Sequence, residues 1–361
     1  MKKHIKKIIA LGAIATITMS LLAGCGNGSG SSSDSDTASG DKGELNIFNW
    51  TEYIPDSVVQ EFEDEYGIKV NYSTYSSNEE CLAKVQSSAE GTYDLVVPSD
   101  YMVTIMKEKG LLEELDKDKI TNLGNIYDSH LNQSYDPGNK YSVPFDTGSV
   151  VIAVNKDTVK DSITSYKDLI KPEYKNSIVA LDDQRVMIGI ALKALGYSLN
   201  EVDDSKLAQA KDFLTKLTPN IKSFDSDTPK TALITGEASV GVIWNAEAAL
   251  ANQEKSSIDV VYPKEGMYKF IDNFAIPKGA KNKENAELFI NFILRPEINK
   301  EIVESYPYTS VNKAAKDMLP DTYTNSKASN IPTDEMDKGE FVKDLGDATA
   351  KYDKIWSEIK K

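Results

Sequence analysis

The sequence predicts an α/β protein built of two lobes, between which the chain crosses more than once. Short apolar strand patterns alternate with amphipathic helix patterns in a first run over residues 44–110, and a second run of the same kind begins near Val150. Such an alternation is typical of sheets that are covered by helices on both faces. Candidate crossings between the lobes stand at residues 146–148, at residues 271–273 and near Pro307.

In the first run, the spacing of apolar residues changes repeatedly between that of a strand and that of a helix. Residues 44–49 alternate in polarity as a strand does, and Pro55 then begins a helical pattern that Gly67 ends. Because the order of elements is β-α-β-α-β, it predicts a mostly parallel sheet. The remaining elements of this run are strands at residues 68–72 and 94–97, a helix from about Asn78, and a helix at residues 100–110.

The second run repeats this alternation without any internal repeat of sequence. Strands are predicted at residues 150–154, 177–181, 240–244 and 259–261. Helices are predicted at residues 187–195, 206–217, 284–294 and 342–360. Because ligands of open α/β sheets bind at the carboxyl ends of strands, two such lobes predict a ligand cleft between them.

The composition limits the classes of partner and of site. The formal net charge is -15, which makes nucleic acid and anionic lipid head groups poor partners. Beyond residue 24 the sequence has one histidine, His130, and only two arginines, Arg185 and Arg295. A Cys/His metal site is therefore not expected. Two arginines are also few for a site that binds an anion through arginine side chains. We expect neither a metal nor a cofactor.

Residues 1–24 have the features of a lipoprotein signal peptide. Lysines precede an apolar stretch at residues 8–22 that is too short to span a bilayer permanently. It ends in Leu22-Ala23-Gly24-Cys25, which resembles a bacterial lipobox; the resemblance implies cleavage before Cys25 and diacylation of its sulfur. An ordinary secretory signal with an incidental cysteine is the alternative. Residues 25–43 are rich in Ser, Gly and Asp and predict a flexible tether, so we expect a lipid-anchored protein on the outer face of the cytoplasmic membrane.

Aromatic and acidic side chains follow several predicted strands at the point where each strand ends. Trp50 follows the first strand, Asp183 follows the strand at residues 177–181, and Trp244 ends a third. Aromatic faces attract an ammonium group and pack on methylenes, and carboxylates accept charge-assisted hydrogen bonds, so this combination indicates a cation with an apolar body. Each residue could instead have a structural role. Trp50 could pack over the end of the sheet, Asp183 could cap a helix, and Tyr101 could belong to the core.

Five stretches of the chain closely resemble the spermidine/putrescine-binding proteins of polyamine ABC importers. They are Asn49-Trp50-Thr51-Glu52-Tyr53-Ile54-Pro55, Tyr93-Asp94-Leu95-Val96-Val97-Pro98-Ser99, Ile243-Trp244-Asn245, Val261-Tyr262-Pro263-Lys264-Glu265-Gly266 and Asn291-Phe292-Ile293-Leu294-Arg295-Pro296. The likeness extends in order over residues 44–361. It implies a type II periplasmic-binding-protein fold of two lobes with the ligand cleft between them, a membrane permease as partner, and a monomer.

The resemblance also implies which residues contact the ligand and where the lobes are divided. The implied ligand-binding residues are Trp50, Thr51, Glu52, Tyr53, Ser99, Tyr101, Asp183, Ser226, Trp244, Phe270, Asp272 and Tyr308. The first lobe is expected to comprise residues 44–145 and 273–306, and the second lobe residues 146–272 and 307–361.

Three departures from the family pattern bear on which polyamine is preferred. The family often has Trp at the position of Phe270, Glu at the position of Val186, and Gln near the position of Val342. We expect Asp183 and Asp272 to hold two ammonium groups and Glu52 to hold a third near the rim. If Val186 faces the ligand, Val186→Glu should strengthen polyamine binding.

Two other classes of function are the alternatives to polyamine binding: a binding protein for another solute, such as ferric iron or an anion, and an enzyme. A binding protein for ferric iron could use the paired tyrosines Tyr306 and Tyr308, but Trp50, Trp244 and Phe270 have no role around a bare ion. A binding protein for an anion would need more arginines. A cell-surface hydrolase would need a nucleophile elbow, and no Gly-x-Ser-x-Gly is present, so an enzyme is not expected.

Overall fold

The computed structural model describes residues 43–361, which belong to one compact unit. The predicted signal peptide, the lipidation site Cys25 and all but the last residue of the predicted tether lie outside the described residues. The strands are β1 (Glu44–Trp50), β2 (Lys69–Tyr75), β3 (Leu95–Val96), β4 (Ser142–Asn155), β5 (Ile178–Ala180), β6 (Ile221–Phe224), β7 (Val240–Trp244), β8 (Ile258–Val261), β9 (Tyr268–Ala275), β10 (Thr309–Ser310) and β11 (Glu340–Phe341).

The helices alternate with these strands. They are α1 (Asp56–Tyr66), α2 (Asn78–Ser87), α3 (Asp100–Glu108), α4 (Gln184–Ala194), α5 (Asp204–Leu217), α6 (Lys230–Ile234), α7 (Asn245–Glu254), α8 (Lys283–Ile293), α9 (Pro296–Ser305), α10 (Asp321–Thr324), α11 (Thr333–Lys338) and α12 (Thr349–Ile359). Local signals set several boundaries: α1 follows Pro55 and ends at Gly67, which adopts the left-handed conformation that glycine tolerates.

Two sets of strands meet through the long strand β4. Along the connected sheet the order is β2-β1-β3-β9-β4-β7-β5-β6. The first half of β4 pairs with β9, and its second half pairs with β7 and β8. Every residue of β4 is buried, which explains why residues 150–154 in its second half read as a continuous apolar run rather than an alternating one.

The prediction of a mostly parallel sheet is right for the flanks and wrong for the centre. β1 pairs in parallel with β2 and β3, and β5 pairs in parallel with β6 and β7. The central strands β4 and β9 are antiparallel, because the chain passes out along β4 and returns along β9. A mixed α/β sheet results.

The three predicted crossings lie side by side. Asp146 and Thr147 of β4 pair with Asp272 and Ile271 of β9 on one side, and with β10 on the other. The irregular register between Pro144 and Asp146 is a bulge that bends β4 at this point. Three passes of the chain therefore run through one narrow region, directly beside the strand ends from which the site is built.

The last predicted helix begins later than the sequence pattern indicated. Residues 340–341 pair with β9 as strand β11, and Gly346 has a φ of 52°. Helix α12 starts only at Thr349. Residues 342–345 are irregular and residues 346–348 form one 3₁₀ turn, because the left-handed conformation of Gly346 does not fit into an α-helix.

Candidate functional site

A cavity lies where the carboxyl ends of β1, β3 and β7 approach the middle of β9. Its lining includes every residue that the sequence predicted for the ligand site except Tyr101. These residues are Trp50, Thr51, Glu52, Tyr53, Ser99, Asp183, Ser226, Trp244, Phe270, Asp272 and Tyr308. Asn78, Asp227, Glu247 and Tyr268 also line the cavity and were not predicted.

The four additional residues stand next to predicted ones in sequence or in space. Asn78 donates to the hydroxyl oxygen of Ser99 at 2.9 Å and thereby orients it. Tyr268 precedes Phe270 by two positions on β9, so both side chains point to the same face of the sheet. Asp227 follows Ser226, and Glu247 lies three residues after Trp244 in the first turn of α7. The positions of Asp227, Glu247 and Tyr268 within three residues of predicted ones are a signal that the sequence contains, whereas Asn78 is brought to Ser99 only by the tertiary structure.

Aromatic rings form walls of the cavity. The centroids of Trp244 and Phe270 are 5.5 Å apart in an edge-to-face arrangement, and Phe270 lies 6.0 Å from Tyr308. The indole nitrogen of Trp50 donates to the carbonyl of Val97 at 2.8 Å, which fixes that ring against the first set of strands. A Cβ atom at Gly148 would come within 2.5 Å of the Phe270 ring, so only glycine permits this close packing.

Tyr53, Ser99, Asp146 and Asp272, here called the Asp272 cluster, hold two buried carboxylates. Asp272 is 2% exposed and accepts hydrogen bonds from the hydroxyls of Ser99 and Tyr53. The Tyr53 hydroxyl also lies 3.4 Å from Oδ1 of Asp146. Burial raises the pKa of Asp272 to about 7, and burial together with the charge of Asp272 raises the pKa of Asp146 well above its usual range.

The Asp272 cluster lacks a cation of its own. Among residues 43–361, no lysine, arginine or histidine forms an ion pair with Asp146 or Asp272. Hydroxyl donors satisfy the hydrogen-bonding capacity of Asp272 without neutralising its charge. A cationic group that enters the cavity would therefore lower the pKa of Asp272 and stabilise its ionised form.

Glu52, Lys230 and Glu247, here called the Lys230 cluster, form a second group of charges at the cavity. The Lys230 ammonium lies 3.0 Å from Oε1 and 3.2 Å from Oε2 of Glu247, and it also contacts Glu52. Burial raises the pKa of Glu247 to about 7 even though Lys230 acts in the opposite direction. Glu52 has a φ of 53°, a left-handed conformation that is unfavourable for a residue with a Cβ atom.

Asp183 has both the structural role and the position predicted for it. Its side chain caps helix α4 by accepting from the backbone N–H of Val186 at 2.9 Å, and it is 3% exposed where it lines the cavity. Burial raises its pKa. Nearby, burial and the charge of Asp183 raise the pKa of Glu79 to about 7.

Tyr101 lies behind the cavity rather than in its lining. Its hydroxyl donates to Glu79 at 3.0 Å, and the guanidinium of Arg185 lies 5.1 Å from the centre of its ring. Tyr101 lines a neighbouring depression together with Val342. The side chain of Tyr101 is 3% exposed, as the core alternative predicted.

Val186 does not line the cavity. Its side chain is fully buried in the main hydrophobic core, because the position falls on the inner face of α4. The expectation that Val186→Glu strengthens polyamine binding is therefore wrong: the variant would place an unpaired carboxylate in the core and destabilise the fold.

The arrangement does not fit the two alternative classes of function. Within the described part of the chain, no group of three or more His, Cys, Asp or Glu side chains is arranged to hold a metal ion. Tyr308 lines the cavity but Tyr306 does not, so the paired tyrosines do not meet there. His130 is also absent from the lining, so the cavity has no histidine base for a serine nucleophile.

The helices of residues 43–361 include none with the length and apolar character that crossing a bilayer requires.

Residues 57–332 match the protein family described as bacterial extracellular solute-binding protein.

Curated relatives are similar to the chain over most of their length. The spermidine/putrescine-binding periplasmic protein of Salmonella typhimurium is 43% identical over 323 residues, which cover 89% of this chain and 93% of that protein. The protein of the same name from Escherichia coli is 42% identical and covers 89% and 92%.

Solved structures agree with the fold described above. The spermidine/putrescine ABC transporter substrate-binding protein PotD of Streptococcus pneumoniae superposes with a TM-score of 0.73 at 37% identity, covering 88% of this chain and 99% of that one. The TpPotD lipoprotein of Treponema pallidum superposes with a TM-score of 0.78 at 33% identity, with coverages of 88% and 99%.

Proposed function

The chain belongs to the bacterial extracellular solute-binding proteins, and we propose that its solute is a polyamine, spermidine or putrescine, which it delivers to the permease of an ABC importer. Members of this family bind solutes and do not transform them. The fold is the two-lobed type II fold of periplasmic binding proteins, as the sequence predicted. Relatives that cover nearly the whole chain are spermidine/putrescine-binding proteins, and this similarity supports the choice of solute.

The single observation that carries the proposal is the Asp272 cluster. It contains two buried carboxylates, with hydroxyl donors but no cation from the described residues, and one of them, Asp272, lines a cavity walled by aromatic rings. A buried carboxylate is costly without an opposite charge, and a ligand ammonium supplies that charge. The methylenes of a polyamine pack against Trp244 and Phe270, whose faces also attract ammonium groups. The twelve residues named from the sequence are proposed as the ligand site, with Tyr101 acting through Glu79 and Arg185.

The lobe boundaries at residues 145, 272 and 306 form part of the proposal. The crossings at β4, β9 and β10 are adjacent, so a small change of backbone torsions at this place can rotate one lobe against the other. A ligand that touches both lobes favours the closed arrangement through the contacts that only this arrangement provides.

Isothermal titration calorimetry of the purified full-length protein in detergent tests the proposal. Spermidine and putrescine are the ligands, and ferric citrate and phosphate test the alternative classes. We expect saturable binding of one or both polyamines with one site per chain, and no heat with the other two. Binding of ferric citrate or phosphate without polyamine binding would contradict the proposal.

We also propose that Cys25 carries a diacylglyceryl anchor. Two acyl chains give stable attachment to a membrane, whereas one gives only reversible binding. Cys25→Ser should therefore move the protein from the membrane fraction to the soluble fraction. Cys81→Ser serves as the control, since Cys81 is buried in the core. Retention of Cys25→Ser in the membrane after a high-salt wash would contradict the anchor.

A further inference from the structure

Lys230 does not itself line the cavity, but its positive charge lies against two acidic residues that do. It is the first residue of α6, and its ammonium bridges Glu52 and Glu247, both of which line the cavity. The backbone N–H of Lys230 also donates to Oε2 of Glu247 at 3.4 Å. The lysine side chain is 14% exposed and that of Glu247 is 5% exposed, so this ion pair is largely withdrawn from water.

The contacts keep Lys230 charged and in place. Burial acts to lower the pKa of Lys230, but the charges and hydrogen bonds of Glu247 and Glu52 outweigh it and raise the pKa above its ordinary value. Glu52 is fixed from the other side by its left-handed backbone conformation in the turn after β1. The three groups come from separate segments, the turn after β1, the start of α6 and the first turn of α7.

We propose that Lys230 is a specificity-determining residue whose ammonium takes the position beside Glu52 and Glu247 that a third ammonium group of the ligand would otherwise occupy. The inference rests on the proposed function and changes one expectation from the sequence, namely that Glu52 holds a ligand amine. Asp183 and Asp272 remain as the buried carboxylates open to the ligand; a third carboxylate of the lining, Asp227, is partly exposed, so water already solvates its charge and a ligand ammonium stabilises it less. The cavity then suits a diamine, and a triamine gains little from its additional charge.

The competition between Lys230 and a ligand amine is unequal. Lys230 is tethered to the chain, so its effective concentration at the two carboxylates is far above that of a dissolved ligand. A ligand ammonium would also have to leave its hydration shell to displace a cation that is already desolvated there. Removing the lysine charge, by contrast, leaves two partly buried carboxylates that a ligand ammonium can neutralise in competition with protons.

The test compares the dissociation constants of putrescine and spermidine for the full-length parent and for Lys230→Met, by calorimetry at one pH and salt concentration. Methionine keeps most of the length of the side chain and removes its charge. We expect the preference for spermidine over putrescine to rise at least about tenfold in Lys230→Met. Lys211→Met is the matched control, because Lys211 also pairs with a glutamate, Glu358, on the surface away from the cavity; it should leave the ratio unchanged.

A purely structural role of Lys230 predicts a different result. Lys230→Met would then weaken both polyamines by the same factor and lower the melting temperature, so a ratio within twofold of the parent overturns the inference. Glu52→Gln decides the question even if Lys230→Met does not fold. Because Lys230 and not the ligand neutralises Glu52, this variant should leave the ratio of the two affinities as it is in the parent; a selective loss of spermidine affinity means that Glu52 holds the third ammonium of the ligand and overturns the inference.

The parent titration separates this inference from the proposed function. A parent protein that binds neither polyamine contradicts both. A parent that binds polyamine, combined with an unchanged ratio in Lys230→Met, contradicts the role of Lys230 alone.

Discussion

The two carboxylate clusters of the cavity use the same residue types in opposite ways. In the Lys230 cluster the chain provides both the acidic groups and the cation that neutralises them. In the Asp272 cluster both acidic groups are buried, but their partners are the hydroxyls of Ser99 and Tyr53. The difference teaches that buried carboxylates alone do not define a site for an ammonium group. What matters is whether the chain leaves their charge to be neutralised by a ligand.

The energetic reason lies in the distinction between satisfying a hydrogen bond and compensating a charge. A hydroxyl donor satisfies one lone pair of Asp272 but leaves the desolvated negative charge, which is why its pKa is raised to about 7. An ammonium group supplies both the donor and the charge. The Asp272 cluster is therefore expected to gain more from a bound cation than the Lys230 cluster.

Removal of the charge from the Asp272 cluster should produce the largest loss of binding. Asp272→Asn keeps the shape of the side chain but removes the negative charge that pairs with a ligand ammonium. Loss of one partner of a buried charge pair costs roughly 2–5 kcal/mol, so we expect polyamine affinity to fall by at least about thirtyfold. Calorimetric titration measures the loss, and a thermal melt checks that unfolding remains cooperative.

Asp128→Asn is the control for this variant, because Asp128 has an exposed side chain on the surface, paired with Lys313. Its polyamine affinity should equal that of the parent. Equal affinities in Asp272→Asn and the parent would mean that Asp272 is a structural residue and would remove the contrast between the clusters.

The pH dependence of binding should be the next largest effect. Burial raises the pKa of Asp272 to about 7, so below pH 7 the free protein holds a proton there that an ammonium ligand must displace. An alkylammonium group stays charged throughout this range. Affinity should therefore increase as the pH rises from about 5.5 to 8, by up to tenfold per pH unit for one proton displaced.

Calorimetry near pH 6.5 in two buffers with different ionisation enthalpies checks the direction of proton transfer. Binding should release protons to the buffer. In Asp272→Asn most of this release should disappear, whereas proton uptake on binding by the parent would contradict the assignment.

Truncation of an aromatic wall should have the smallest of the three effects. Trp244→Ala removes a face that packs on the ligand methylenes and attracts an ammonium, which is worth about 1–2 kcal/mol at a desolvated site. Trp244 is partly exposed at the end of β7, so its loss should leave a cooperative melt. Affinity and the change of tryptophan fluorescence on adding polyamine are the measurements.

Trp356→Ala is the matched control for this truncation, because Trp356 lies on α12, packs against Phe224 and does not line the cavity. It should retain the affinity of the parent. Trp244 would be a core residue rather than a wall of the site if Trp244→Ala melted without cooperativity and polyamine left the fluorescence of the parent unchanged.

Local features of the chain were enough to predict most elements of the fold. Periodicity and end signals such as Pro55 and Gly67 act over a few residues, so the sequence itself places helix α1 and its neighbouring strands. The residues that follow strand ends were predicted as one group for a related reason: strand ends in an α/β sheet gather at one edge. Resemblance to a family extended this group to Ser226 and Tyr308, which no local pattern distinguishes.

Long-range pairing was beyond the reach of the sequence pattern. The antiparallel course of β4 and β9 depends on the path of the chain between them, and strand β11 forms just before the predicted last helix because residues 340–341 pair with β9. Val186 was expected to face the ligand, but the rotation of α4 against the core turns it inward.

By itself the sequence determined the α/β class, the alternation of elements and the set of acidic and aromatic residues at strand ends, because these follow from side-chain type and short-range periodicity. Only the tertiary structure decided which carboxylates keep their charge for a ligand. Glu52 and Lys230 are 178 residues apart in the chain, and their contact exists because the turn after β1 and the start of α6 meet beside the cavity. Electrostatic pairing depends on distance in space, which no local pattern of residues encodes.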